Sequence, residues 1–174
     1  MRILLPLSLA LVLAVPASGQ ALQGHNAKAP VDVAADRIEV QDRADRAIFS
    51  GNVRVDQAGL TLTSSRLTVN YENGGGSGVS IERLDATGGV TVTSATETAR
   101  GDIAIYDLPK RLITMVGGVT LVQGANRING GRLVINLDSG VASVDGNGPS
   151  VRGDDGVVRG SGRVTGRFTV TQRQ

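Results

Sequence analysis

Apolar and polar residues alternate along most of the chain, from Val31 to about Val144. The alternation is visible in Val53-Arg54-Val55, Leu67-Thr68-Val69, Val90-Thr91-Val92 and Val119-Thr120-Leu121. A period of two places every second side chain on one face of an extended strand. Valine and threonine dominate these stretches, and branching at Cβ favours strands. Since no window of helical length carries a sustained apolar stripe, the pattern predicts a nearly all-β protein.

Glycine-rich turns separate the predicted strands. They include Gly51-Asn52, Gly88-Gly89, Gly117-Gly118 and Gly130-Gly131. Glycine supplies the positive φ that tight turns and bulges require. Short strands with frequent turns are typical of a sandwich, a barrel or a β-roll.

The strand pattern repeats along the chain. Matching units begin at Phe49 and at Met115, 66 residues apart, and a weaker copy begins at Ala86. In the weaker copy, Ile103 and Ile105 follow at a spacing that differs by one residue from that in the other two units. Each unit is a strand, a glycine-centred kink, a strand, a turn and a longer strand. Because one unit alone cannot bury its apolar face, the repeat predicts units stacked around a shared core.

The same parity predicts the residues that face inward. They are Phe49, Val53, Val55, Leu60, Leu62, Leu67, Val69, Ala86, Val90, Val92, Met115, Val119, Leu121, Ile128, Leu133 and Ile135. If the two sets of strands touch, this face is an ordinary core, which is what apolar strand faces most often form. If they splay, it is an apolar trough suited to acyl chains. The pattern leaves both arrangements open.

Composition removes several kinds of chemistry. The chain has no cysteine and one histidine, His25, which we expect to be solvated in a flexible segment. A catalytic triad and a histidine or thiolate metal site therefore lack material. The acidic residues are scattered, without an obvious pair for a hydrolase. We therefore predict no enzyme activity, no cofactor and no metal.

Charge and aromatic content argue against a nucleic-acid partner. The net charge is +2, and aromatic residues make up 2% of the chain. Such a small excess of positive charge does not supply a phosphate-binding surface. Two Phe and two Tyr cannot form an array of base-stacking platforms.

The first 21 residues have the layout of a secretory signal peptide. Arg2 is followed by an apolar run and then by small residues that allow cleavage after Ala21, with Ala17 and Gly19 as other sites. We expect residues 1–21 to be removed, residues 22–29 to be a flexible lead-in, and residues 30–145 to form the β domain. The glycine- and arginine-rich residues 146–174 are expected to be a last edge strand or a mobile tail.

Two segments resemble the LptA/OstA-like family. Ala47-Ile48-Phe49-Ser50-Gly51-Asn52-Val53-Arg54-Val55-Asp56-Gln57 is similar to the opening signature of these proteins, and Val33 to Glu39 precedes it as in the family. The stretch from Tyr106-Asp107 to Gly117-Gly118-Val119, with Gly130-Gly131-Arg132-Leu133 after it, resembles the second half. The resemblance covers roughly residues 30–145.

The resemblance implies an open, V-shaped antiparallel β-jellyroll of about sixteen short strands. It implies a periplasmic protein that carries lipopolysaccharide, with the acyl chains of lipid A inside the V. It also implies head-to-tail self-association through edge strands, an LptC-like inner-membrane partner and an LptD-like outer-membrane partner. Strand addition at sheet edges is physically reasonable, because edges present unpaired backbone groups.

The resemblance also implies lipid-facing positions. They are Val31, Val33, Phe49, Leu112 and Ile113, and the inward parity adds Val53, Val55 and Met115. Arg37, Arg54 and Arg132 are candidates for lipid phosphates, although exposed arginine on a strand more often keeps a protein soluble. The chain departs from the family where Gly88-Gly89 and Gly117-Gly118 replace Gly-Asn.

Three other readings remain open at this point. An LptC-like member of the same family would keep its N-terminal segment as a membrane anchor. A secreted structural β-repeat protein would have a regular repeat, whereas the offsets here are 37 and 29 residues. A periplasmic hydrolase would need a pair of acids held in a cleft.

Overall fold

A computed structural model describes residues 25–73, 78–146, 151–152, 158–159 and 162–169. Its secondary structure is almost entirely strand, which confirms the all-β prediction. The strands are β1 (Asp32–Ala34), β2 (Arg37–Gln41), β3 (Arg46–Gln57), β4 (Leu60–Asn73), β5 (Val79–Thr93), β6 (Glu97–Asp107), β7 (Leu112–Gln123), β8 (Asn126–Asn136), β9 (Val141–Asp145), β10 (Val151–Arg152), β11 (Val158–Arg159) and β12 (Thr165–Arg167). A short 3₁₀ helix, Asp42–Ala44, connects β2 to β3.

Ten strands form one antiparallel sheet. Strands β3 to β8 pair in chain order, while β1 and β2 both pair with β3 at one edge, and β9 and β12 both pair with β8 at the other. Within the described residues the two edges do not pair with each other, so the sheet is open, as predicted. Strands β10 and β11 form a separate two-stranded sheet.

A line of β-bulges crosses the middle of the large sheet. At this line β3, β5 and β7 each carry two residues where the neighbouring strands β4, β6 and β8 carry one, and the register shifts by one residue. The line consists of Gly51-Asn52, Ser65, Gly88-Gly89, Asp102, Gly117-Gly118 and Gly131. We call this line the crease. A bulge bends its strand, and an aligned row of bulges bends the whole sheet.

The paired residues at the crease have positive φ. The angles are 78° and 45° for Gly51 and Asn52, and 85° and 54° for Gly117 and Gly118. Glycine and asparagine are the residues that adopt this region most readily. The shift in β3 and β4 is reproduced 66 residues later in β7 and β8, so the sequence repeat is a repeat of the bend.

The crease divides the sheet into two layers that face each other. Layer A contains β1, residues 53–57, 60–64, 90–93, 97–101, 119–123 and 126–130, and β12. Layer B contains β2, residues 46–50, 66–73, 79–87, 103–107, 112–116 and 132–136, and β9. Each layer therefore has eight strand segments, which matches the sixteen short strands implied by the resemblance.

The core lies between the layers. One cluster of buried aliphatic residues contains members from both layers, and Leu67, Ala86, Met115 and Leu133 in it have no exposed surface. Every residue predicted to face inward is buried, except that Phe49 and Ile128 are partly buried against the cluster. Burial of a Val or Leu side chain contributes about 1.5–3 kcal/mol, so this face is the main source of stability.

The parity of β6 differs from the sequence pattern. Ala104 and Tyr106 face the core with 0% and 3% exposure, while Ile105 is 37% exposed. Asp102 is the single crease residue of β6, and the inward residues Ala104 and Tyr106 lie two and four positions after it. In the same way, Leu67 lies two positions after the crease residue Ser65 in β4. Ile103 and Ile105 are shifted by one residue from the inward positions of the other repeat units because they lie on the outer face of β6.

The predicted segment boundaries fall partly outside the described residues. The proposed signal peptide, residues 1–21, lies outside them. Residues 25–29, the described part of the lead-in, form a turn in which Ala29 N–H donates to the Asn26 carbonyl oxygen at 3.0 Å. In the C-terminal segment β12 pairs with β8, so residues 165–167 are an edge strand.

Substitution at the crease tests this description. A Cβ on Gly117 would lie 2.8 Å from Cβ of Asp102, and φ there is positive, whereas a Cβ on Gly118 would meet no atom within 4 Å. We expect Gly117→Ala to lower the free energy of unfolding by about 2–4 kcal/mol. Gly118→Asn should cost less than about 1 kcal/mol, because Asn52 holds the equivalent position. Urea unfolding followed by circular dichroism measures both, and equal losses would contradict the role of the crease.

Candidate functional site

The inner face between the layers is the candidate site. The crease closes one end of this space, and the hairpin loops of the two layers lie at the other end, which we call the mouth. Loops 58–59, 94–96 and 124–125 belong to layer A, and loops 108–111 and 137–140 belong to layer B. The face is almost entirely aliphatic, so its chemistry is that of an apolar surface.

Most of the predicted lipid-facing residues lie on this face. Val53, Val55, Ile113 and Met115 are at most 2% exposed, so the layers are in contact there. Val31, Val33 and Phe49 are partly buried against the same cluster. These seven residues are brought together, although no side chain among the first four is accessible to a ligand while the layers are closed.

Leu112 lies on the opposite face of β7. The strand alternates so that Ile113 and Met115 point inward, and Leu112 pairs with Asn136 on the outer side. Leu112 and Ile113 therefore cannot line one trough. The resemblance pointed to two adjacent residues, and the pleat allows only one of them to face the interior.

The inner face is exposed at the N-terminal edge. Ile38 and Val40 of β2 stand opposite Phe49 and Ala47 of β3, and directly paired residues share a face of the sheet. They are 55% and 57% exposed. Sequence reasoning missed this pair, although the alternation Ile38-Glu39-Val40 carried the signal. The apolar interior thus continues to the edge of the molecule.

Gln57 connects the layers at the mouth. Its side chain is 3% exposed, and its Oε1 accepts a hydrogen bond of 3.0 Å from the hydroxyl of Tyr106. Gln57 lies in layer A and Tyr106 in layer B. Burial raises the pKa of Tyr106 to about 12, so the phenol stays protonated and can donate. This bond holds the mouth closed in the described structure.

The same glutamine binds the chain before β1. Gln57 Nε2 donates to the carbonyl oxygens of Ala27 at 3.2 Å and Ala29 at 2.9 Å. His25 Nε2 lies 3.2 Å from Gln57 Oε1 and is partly buried. The expectation of a solvated histidine was therefore wrong, because the segment before β1 folds back onto the end of β3.

Glu97 is a buried acid at the mouth of layer A. It is 8% exposed, and its Oε1 accepts a hydrogen bond of 2.8 Å from Nε2 of Gln123. The hydroxyl oxygen of Ser94 accepts a bond of 3.2 Å from the backbone N–H of Glu97, which fixes the start of β6. Glu97 Oε2 is buried without a hydrogen-bond partner among the described residues. Burial raises the pKa of the Glu97 carboxyl, because the charged form loses its hydration.

A narrow cavity adjoins Glu97. It has a volume of about 10 Å³ and is lined by Val92, Ser94, Glu97, Ala99, Leu121 and Ile135. The first five residues belong to strand segments of layer A and to the loop 94–96 that joins two of them. Ile135 belongs to layer B. The cavity therefore lies between the layers.

The predicted phosphate ligands are engaged or lie outside the interior. Arg54 forms an ion pair with Asp56 at 2.7 Å, and a hydrogen bond from Thr61 together with Arg54 lowers the pKa of Asp56. Arg132 stands opposite Asp145 of β9. Arg37 is exposed on β2. All three arginines lie on the outer face or at the edge, where charges interact with solvent.

Two further searches concern only the described part of the chain. There, no helix is long and apolar enough to cross a membrane. Within the same ranges, no three His, Cys, Asp or Glu side chains are grouped as metal ligands.

The chain is similar to known proteins in both sequence and fold. Residues 32–141 match the family model described as LptA/(LptD N-terminal domain) LPS transport protein. An uncharacterized protein of Rhizobium meliloti (strain 1021) is 35% identical over 150 residues, which is 83% of this chain and 80% of that protein. The fold is similar to the crystal structure of LptH from Pseudomonas aeruginosa, described as the LptA homologous periplasmic component of the lipopolysaccharide transport device. The TM-score is 0.67 at 17% identity, covering 83% of this chain and 98% of that one.

The raised pKa of Glu97 has a consequence for stability. A carboxyl that binds its proton more tightly in the folded state adds stability as the pH falls from 7, and this gain is complete below the unfolded pKa of about 4.3. The gain is lost as the pH rises through the folded pKa. We expect the stability of wild type relative to Glu97→Leu to rise as the pH falls from 7 to 4. Urea unfolding of both proteins across this range tests it, and a difference independent of pH would contradict the burial of the charge.

Proposed function

This chain belongs to the family of LptA proteins and LptD N-terminal domains that transport lipopolysaccharide, and on that premise we propose that it is a periplasmic carrier. In this proposal it shields the acyl chains of lipid A from water between the inner and outer membranes and supports outer-membrane assembly. It acts by binding, without catalysing a reaction. The continuous aliphatic inner face that reaches the N-terminal edge is the observation that supports this role.

Acyl chains would occupy the space between the layers. Transfer of each methylene from water to an apolar surface contributes about 0.8 kcal/mol, so several chains bind strongly without a specific polar contact. The inward residues are aliphatic and touch across the interior, so the layers must separate to admit a chain. The crease can act as the hinge, and the bond between Gln57 and Tyr106 at the mouth must open.

The exposed Ile38 and Val40 suit the transfer of lipid between molecules. An acyl chain that leaves the interior at this edge would still contact an apolar surface. A neighbour that adds its own sheet at the same edge would continue the inner face. The lipid would then slide along a shared trough without entering water, and the energy for the movement would come from a partner.

The sheet edges would join the chain to its neighbours. One edge is built from β1 and β2, and the other from β9 and β12, and each is split in two at the crease. Unpaired backbone groups on such edges bind further strands. Because both edges have the same division, we propose head-to-tail self-association, with an LptC-like protein at the inner membrane and an LptD-like protein at the outer membrane.

The proposed compartment depends on the leader. Removal of residues 1–21 would release a soluble protein into the periplasm, which suits a carrier between two membranes. Retention of the leader would instead favour an LptC-like, membrane-anchored member of the family.

Photo-crosslinking tests the carrier proposal. With benzoylphenylalanine at Phe49 or Val33, we expect crosslinks to lipopolysaccharide, because both positions border the inner face. The matched control at Thr68, on the outer face of β4, should give at least tenfold less product. If the folded protein gives no crosslink at Phe49 or Val33, the interior is a closed core, and a structural role for the chain would be favoured.

A further inference from the structure

Glu97 places a carboxyl oxygen without a hydrogen-bond partner among the described residues at the mouth of the aliphatic inner face. The residue is 8% exposed. Its Oε1 is bound by Gln123, whereas Oε2 has no hydrogen-bond partner in the described part of the chain. Buried polar groups in native proteins are almost always hydrogen-bonded, so an unpartnered one requires an explanation.

The fold itself does not require an acid at this position. Glu97 is the fifth residue before the crease residue Asp102, and the fifth residue before the crease residue Ser65 is Leu60. Leu60 is 2% exposed and belongs to the core cluster. An aliphatic side chain therefore fits the same place in the neighbouring repeat, and the carboxyl of Glu97 is an addition to the scaffold.

Among the described residues, no basic side chain lines the cavity beside Glu97. The cavity beside Glu97 is lined by Val92, Ser94, Ala99, Leu121 and Ile135, and no Lys or Arg is among them. The hydroxyl oxygen of Ser94 already accepts backbone N–H bonds from Thr96 and from Glu97 itself. Glu97 thus lines a small space between the layers, which a ligand would reach if the layers separate as proposed.

The chemistry of the group selects its ligand. A carboxylate repels a phosphate, and no Lys or Arg among the described lining residues offsets the repulsion, so a headgroup phosphate is disfavoured at this position. A hydroxyl fits best, because it donates to the ionised carboxylate and can also accept from the protonated acid. Glu97 lies at the mouth, where the polar end of an acyl chain would lie while the hydrocarbon fills the interior.

We propose that Glu97 forms a subsite that binds a hydroxyl group carried by an acyl chain close to its linkage with the headgroup. The subsite gives the apolar trough a preference among acyl chains that burial of methylenes alone cannot provide. This inference rests on the proposed function, since it requires acyl chains to enter between the layers.

A pair of neutral amphiphiles that differ in one hydroxyl tests the subsite. The probes are 3-hydroxydecanoyl-N-methylglucamide and decanoyl-N-methylglucamide. Each is titrated into the mature chain, and binding is measured by isothermal titration calorimetry. We expect wild type to bind the hydroxylated amide about five- to tenfold more tightly, as one hydrogen bond to a buried group provides. Glu97→Leu should bind both amides equally, and Glu72→Leu, at an exposed position of β4, should keep the wild-type preference.

The outcomes separate this inference from the carrier proposal. If wild type binds both amides equally, or if Glu97→Leu keeps the preference, the subsite is wrong while acyl binding stands. If neither amide binds, both proposals are wrong. The comparison of the two amides on wild type decides the matter even if the leucine variant does not fold.

Discussion

The positive-φ bulges of the crease are the constraint on which the rest of the structure depends. In β3, β5 and β7 two residues stand where the neighbouring strand has one, and the backbone at Gly51, Gly88 and Gly117 has a conformation that disfavours larger side chains. Because the three bulges align, the sheet bends along one line instead of twisting gradually. The bend brings the apolar faces of layers A and B together, and an open sheet thereby acquires an interior without closing into a barrel.

In the proposed function, one face serves both as a core and as a lipid-binding surface. Aliphatic side chains from both layers give stability through contacts that are not specific in direction, so acyl chains would replace these contacts with similar ones. Polar groups near the mouth limit the exchange. Gln57 and Tyr106 join the layers, and Gln123 and Glu97 occupy the corresponding place farther along layer A. The chain belongs to a family of lipopolysaccharide transport proteins, and the proposed role of the interior rests on that membership.

Much of the fold could be predicted because it rests on local patterns. Alternation identified the strands and the inward residues of β3, β4, β5, β7 and β8, and the glycine pairs located the bends. The predicted inward set contained no residue of β6, because isoleucines on the outer face of that strand conceal the inward positions of Ala104 and Tyr106. The bond between Gln57 and Tyr106, the burial of Glu97 and the exposed edge at Ile38 depend on contacts between residues distant in the chain, which periodicity cannot reveal. Leu112 shows the same limit, since a family resemblance does not assign a face of the pleat.

The proposed lipid binding requires layers A and B to separate at the mouth, and distance measurements between two electron-spin labels detect this separation. The chain has no cysteine, so spin labels can be attached at Ala95 in layer A and Ser139 in layer B, both exposed loop positions at the mouth. Addition of lipopolysaccharide should lengthen the distance between these labels, while labels at Ala95 and Ala125, both in layer A, should keep theirs. If saturating lipopolysaccharide leaves both distances unchanged, the layers do not separate, and the acyl chains are not held between them.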